Sequence, residues 1–179
     1  MILGIDPGFA SCGYALLRPG KGTEGAPEFE SIGVIRTQKT TKKIPLWEDN
    51  ARRTGDLYGA LKARLPDTMR PILFAVEAES WTRQPSDKLL GLARGAIYSL
   101  AFERGCAIEQ YGPRELKQEF CDSGSASKGD VEEALIALNP ELKTFLSRLP
   151  KTQRNHAADA AACALYALRK SQYARLLQY

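Results

Sequence analysis

The chain opens on a short apolar run that stops at a carboxylate: Ile2-Leu3-Gly4-Ile5 leads to Asp6 and breaks at once on Pro7-Gly8. A short apolar run bounded by a turn signal reads as a buried strand. Gly13 and the apolar stretch Tyr14-Ala15-Leu16-Leu17 follow, so the spacing predicts two strands joined by a tight glycine-bearing turn. Asp6 then ends a central strand, a rigid mount for a metal-binding or acid/base carboxylate. Taken alone, Asp-Pro-Gly has a plainer reading as a turn whose aspartate bonds its own backbone.

The remaining chain supplies partners for that first hairpin. Arg18 to Glu30 is rich in Gly, Pro, Lys and Glu and reads as an exposed loop; Ser31 to Thr37 alternates and is predicted as a third strand, completing a meander. Gln38 to Lys43 is a polar, basic loop, and apolar residues recur at helical spacing from Leu46 to Leu65, before Pro66. Pro71 to Glu77 is a second buried strand ending on a carboxylate. The helix expected over Ser86–Arg104 carries an apolar stripe too wide for one surface, which predicts packing on the sheet and on a second subunit. Cys106 to Tyr111 reads as a strand, and Pro113 opens a helix to about Phe120, since proline suits the first helical turn. Lys128 to Leu138 reads as a helix, Glu141 to Gln153 as a long connection, and Thr152 to Tyr173 as an alanine-rich final helix. A meander followed by alternating helix and strand predicts an α/β fold, with a mixed sheet flanked by helices.

Composition narrows the function classes. At 179 residues the chain fits a single domain spanning 1–179, with no internal repeat and no linker. No segment approaches the roughly 20 apolar residues of a membrane span, and no charged leader precedes a longer apolar run, so neither membrane anchoring nor a signal peptide is expected. Cys12, Cys106, Cys121 and Cys163 are scattered without a CxxC, which argues against a zinc site or disulfide framework and for free thiols in a reducing cytoplasm. A net charge of +4 is compatible with nucleic-acid binding without requiring it.

Four side chains stand out by position. Asp6 and Glu77 end buried strands; His156 and Asp159 are three residues apart near the start of the last helix and so share a face. Three carboxylates and an imidazole can hold one or two divalent cations, and paired metals stabilise both oxygens in phosphodiester cleavage. Each also has a plainer reading: Glu77 as a surface charge, Asp159 as a charge favoured near a helix N-terminus, His156 as a structural histidine. Glu79 competes with Glu77, because period-two alternation puts both on one side of a strand.

In this combination the chain resembles the RuvC-type Holliday junction resolvases, nucleases of RNase H-like fold with a five-stranded mixed sheet. The resemblance rests on Gly4-Ile5-Asp6-Pro7-Gly8 with Gly13-Tyr14, on Ala75-Val76-Glu77, and on Gly91-Leu92-Ala93-Arg94-Gly95. It continues through Arg114-Glu115-Leu116-Lys117-Gln118, Gly124-Ser125-Ala126-Ser127-Lys128 and His156-Ala157-Ala158-Asp159-Ala160, in the family's order over nearly the whole chain. It implies a homodimer that resolves four-way DNA junctions by paired nicks in recombination and repair. It also implies Mg2+ or Mn2+ as cofactor and a branch-migration complex as a further partner. Asp6, Glu77, His156 and Asp159 are the implied metal ligands, with Lys117 and Lys128 placed to position the scissile phosphate.

His156 stands where the family commonly has an aspartate. Neutral imidazole keeps one donor but removes a charge, and because imidazole suits transition metals better, the exchange is expected to favour Mn2+ over Mg2+. Trp81, with Arg83 beside it, falls where the family places an aromatic against junction bases. Lys39, Lys42, Lys43, Arg52, Arg53, Lys151 and Arg154 are candidate phosphate contacts. Glu141–Gln153 is longer than usual for the family, as expected of a divergent phage or organellar branch. Other readings are a less selective branched-DNA or flap nuclease, and a catalytically silent junction-binding protein. An actin-like ATPase would need glycine-rich nucleotide loops that the chain lacks.

Overall fold

Alternation along two neighbouring strands decides where the strand-end carboxylates point. The structure, a computed structural model, describes residues 1–20, 26–65, 73–78 and 86–175. In strand β1 (Ile2–Asp6), Leu3 and Ile5 face one apolar cluster while Ile2 faces another. In β4 (Leu73–Glu77), Phe74 and Val76 join the first cluster, and Leu73 and Ala75 the second. Period two therefore carries Asp6 and Glu77 to the second face.

Between and beside them run β2 (Ser11–Arg18), β3 (Glu28–Arg36) and β5 (Ala107–Tyr111), giving a five-stranded sheet in the order β3-β2-β1-β4-β5. β1, β2 and β3 form the antiparallel meander, and β4 and β5 run parallel to β1, so the mixed sheet is RNase H-like. Every strand except β2 ends on the same edge of the sheet, the edge that carries Asp6 and Glu77.

Helices α1 (Leu46–Arg64) and α2 (Ser86–Glu103) cover the first face through Leu57, Leu61, Ala93, Ile97 and Leu100. On the second face lie α3 (Pro113–Cys121), α4 (Lys128–Leu138), α5 (Glu141–Ser147), α6 (Lys151–Lys170) and the short α7 (Gln172–Arg175). No described helix is long and apolar enough to cross a membrane. The four cysteines are free thiols.

The structure corrects three boundaries. β3 begins at Glu28 because β2 runs on to Arg18 and pairs Leu17 with Phe29 beyond a bulge; the expected Arg18–Glu30 loop is therefore shorter. The stretch read as a connection from Glu141 contains helix α5, whose Leu142 and Leu146 are buried in the core. The final helix stops at Ser171, which turns extended and accepts hydrogen bonds from the backbone N–H groups of Tyr173 (3.0 Å) and Ala174 (3.4 Å), starting α7.

Candidate active site

Two backbone contacts set α6 against the sheet. A β-carbon at Gly4 would lie 2.0 Å from the Ala160 carbonyl oxygen, and one at Gly13 would lie 2.0 Å from that of His156. Only glycine admits a helix backbone this close to strands β1 and β2. The helix answers with small side chains: Ala157, Ala158, Ala160, Ala161, Ala162, Cys163 and Ala164 are all buried. His156 and Asp159, on the first turns of α6, are thereby lowered onto the edge where β1 and β4 end.

There the parallel register pairs Ile5 with Val76, so Asp6 and Glu77 emerge as neighbours. Oxygens of Asp6, Glu77 and Asp159 all lie within 4.8 Å of one another. His156 approaches from beside this set: its Nδ1 is 2.6 Å from Asp6 Oδ2. Lys128 stands at the N-terminus of α4, where Ser127 and Asp130 form a reciprocal capping box that anchors the turn. Its Nζ donates to Asp159 Oδ2 at 2.8 Å. The carboxylates open into a cleft of about 420 Å³ whose walls include Lys117, Lys128 and Arg94.

The electrostatics follow from this crowding. Burial, then the charges of Asp6 and Asp159, push the Glu77 carboxyl up to about 9. Burial also raises the Asp159 carboxyl above its ordinary value, against the opposing pull of Lys128. The hydrogen bond to Asp6 raises the His156 imidazole above its ordinary value, against the effect of burial. Burial pulls the Lys128 ammonium down, but the Asp159 bond and the surrounding carboxylates leave it net raised. Three hard oxygen donors whose charges oppose one another are a donor set that a divalent cation neutralises. The residues present fit such an ion.

Arg94 is a contributor that sequence reasoning passed over except as part of a motif. It is 8% exposed, and its guanidinium donates to the Glu77 carbonyl oxygen at 2.7 Å and to the Tyr98 hydroxyl at 3.0 Å. Tyr98 also accepts from the Gln110 side chain on β5 at 2.9 Å. The signal was an arginine inside an otherwise apolar helical stripe, which must find acceptors to be buried.

The remaining candidates separate by use. Lys39, Lys42 and Lys43 are exposed on the loop between β3 and α1, on the active-site edge. Arg53 is 4% exposed and is spent inside the protein: it lies 4.2 Å over the Phe9 ring and donates to Thr37 Oγ1 at 3.0 Å. Arg52 pairs with Asp49 at 2.6 Å and Asp56 at 2.7 Å, and donates to the Gln38 carbonyl. These two arginines therefore brace the basic loop instead of presenting free charge, and Arg53 is corrected to a structural residue. Lys151 is exposed at the start of α6, while Arg154 donates to the Leu149 carbonyl at 3.2 Å. Trp81, Arg83 and the competing Glu79 lie outside the described residues.

Residues 2–167 match the family described as "Crossover junction endodeoxyribonuclease RuvC". A protein of that name from Marinobacter nauticus is 35% identical over 167 residues, covering 92% of this chain and 83% of the relative. Among solved structures, Thermus thermophilus RuvC superposes with a TM-score of 0.72 at 24% identity, covering 94% of this chain and 95% of the other. The structure titled T. thermophilus RuvC in complex with Holliday junction substrate gives 0.69 at 28% identity, covering 99% and 96%. Strand-end carboxylates, a helix seated on glycines and a match running nearly end to end leave one conclusion: the chain belongs to the RuvC family of crossover junction endodeoxyribonucleases.

Proposed function

We propose that this protein resolves four-way DNA junctions by paired symmetric nicks, acting as a homodimer in recombination and repair. The observation that carries the reading is the meeting of Asp6, Glu77 and Asp159, from three separate elements, within 4.8 Å beside a cleft that includes Lys117 and Lys128. Enzymes of this family depend on divalent metal. Asp6, Glu77 and Asp159 are the proposed ligands, with His156 as a fourth donor beside Asp6. A divalent cation held there supplies Lewis acidity toward a phosphodiester.

The chain's own groups do the rest. Lys128 and Lys117 point positive charge into the cleft and hold the scissile phosphate over the carboxylates. Glu77, protonated near neutral pH when no cation opposes its neighbours, gives up that proton as the site loads. Hydrolysis by water, with no covalent link to the protein, matches a cleft whose described lining holds no serine, threonine, tyrosine or cysteine to attack the phosphate. Lys39, Lys42 and Lys43 are proposed contacts to duplex arms, as are Trp81 and Arg83 to the branch point. Of Mg2+ and Mn2+, the imidazole at 156 favours Mn2+. A cytoplasmic setting and a branch-migration complex as partner complete the reading.

The test is a cleavage assay on a synthetic four-way junction with each metal, run beside flap and fork substrates at one salt concentration. Asp6→Asn should abolish cutting and leave junction binding intact. Cleavage near the wild-type rate in that variant would sink the metal site. Equal cleavage of flaps and junctions by the wild type would replace the resolvase reading with that of a general branched-DNA nuclease.

A further inference from the structure

The first turn of α1 carries an exposed apolar pair, which follows Ile44-Pro45: Leu46 is 66% and Trp47 72% exposed. A tryptophan left in water forgoes the burial that large aromatic side chains usually gain, and in this fold its own core does not use it. Its surroundings are cationic. From Arg36 to Glu48 the chain holds Arg36, Lys39, Lys42 and Lys43 against the single carboxylate of Glu48. None of the three lysines has an ion pair among the described residues, so all three charges face solvent.

This patch is fixed to the active-site edge by bonds inside the protein. Thr37, just after β3, donates its N–H to the Ala10 carbonyl at 3.1 Å and its hydroxyl to the Phe9 carbonyl. Arg53 of α1 lies on the Phe9 ring and donates to the same Thr37 hydroxyl. Asp49 accepts from the Thr40 N–H at 3.2 Å, holding the loop to the helix start. The turn Pro7–Ala10 therefore links Asp6 to the base of the patch, and Trp47 lies about 9 Å along the helix axis from Arg53.

We propose that Trp47, supported by Leu46, is a stacking site for an unpaired nucleotide of the junction, flanked by Lys42 and Lys43 on its phosphates. The inference rests on the junction reading above and deepens it. An indole offers a face to any base, and a paired base inside a linear duplex has no free face to give. The lysines supply attraction that is blind to structure, and Trp47 adds to the preference for the branch proposed above for Trp81. Charge complementarity selects DNA as the occupant over an apolar protein surface.

The experiment measures binding to a four-way junction and to a linear duplex of the same sequence, without divalent metal, across a salt series. Trp47→Ala should weaken junction binding roughly 5- to 150-fold, the range of base–aromatic stacking, and leave duplex binding within about twofold. Trp47→Phe should recover most of the loss. The salt slope should be unchanged in Trp47→Ala and reduced by about 2 in a Lys42→Ala, Lys43→Ala variant. Three outcomes would overturn the assignment: unchanged junction affinity, an equal loss on duplex, or a Trp47→Ala chain whose mass by light scattering differs from wild type. The last would make Trp47 a contact between copies. A wild-type chain without preference for junctions would defeat the parent reading itself, whereas a preference undiminished in Trp47→Ala defeats only this one.

Discussion

Glu77 holds a proton that a surface glutamate would have lost. Its carboxyl titrates near 9 in the folded protein because burial and the neighbouring charges of Asp6 and Asp159 oppose ionisation. In the unfolded chain it titrates near the ordinary glutamate value of about 4.3. Between those values the folded state binds more protons than the unfolded one, so stability falls as pH rises. Asp159 and His156 are shifted the same way and share the sign: each contributes fully below its unfolded value and loses that contribution as pH passes the folded one. Metal-free protein should therefore lose melting temperature steadily from about pH 5 to 9, and Glu77→Gln should flatten the trend. Added Mn2+ should raise the melting point most at the alkaline end, and calorimetry in two buffers of different ionisation heat should register proton release on loading. A wild-type profile superimposable on that of Glu77→Gln would contradict the assignment.

At the same scale, His156 offers a separate check. If its ring coordinates metal, cleavage by the wild type should fall below the imidazole's titration, and His156→Asp should shift that limb to lower pH and reduce any Mn2+ advantage. Identical pH–rate profiles would leave the histidine as a partner of Asp6 only. The carboxylates were legible in the sequence because strand ends and helix spacing announce position. The uses of Arg53 and Arg94 were not: a sequence shows that a guanidinium exists but not that Thr37, Phe9 or the Glu77 carbonyl waits to receive it.

At the scale of elements, α6 decides whether the site assembles. Gly13→Ala would force a β-carbon against the His156 carbonyl, which is backbone and cannot rotate away. The helix must shift, at a cost of about 1–3 kcal/mol or more. The expected result is a lower denaturation midpoint together with a fall in cleavage larger than in junction binding. Helix α5 makes the complementary case. Leu142 is fully buried, so Leu142→Ala should cost about 2–5 kcal/mol while leaving the cleavage rate of the folded fraction unchanged. Most elements could be read from periodicity, because strands bounded by Gly or Pro and long amphipathic helices repeat often enough to show. α5 escaped because Leu142, Phe145 and Leu146 complete barely two turns between Pro140 and Pro150. So short a stripe becomes a helix only against the core it packs on.

For the whole molecule, the outward side of α2 matters most. Phe102 is 88% and Leu92 38% exposed, while Gly91 and Gly95, also exposed on this helix, leave open space where β-carbons would stand. Ala93, Ile97 and Leu100 of the same helix are already buried on the sheet, as the wide apolar stripe required. The free side is the proposed homodimer contact. Phe102→Asp should halve the mass seen by light scattering. On a junction it should convert paired nicks into single uncoordinated ones, visible as nicked intermediate that accumulates before resolution. An unchanged mass would move the dimer contact elsewhere.

Because α6 meets β1 and β2 through main-chain atoms at Gly4 and Gly13, the placement of His156 and Asp159 over Asp6 rests on backbone contact as well as on core side chains. Core strands and helices packed this closely open only with the global unfolding of the chain. The cleavage rate should therefore climb smoothly with temperature up to the cooperative melt and end there, with no range in which the protein is still folded but already inactive.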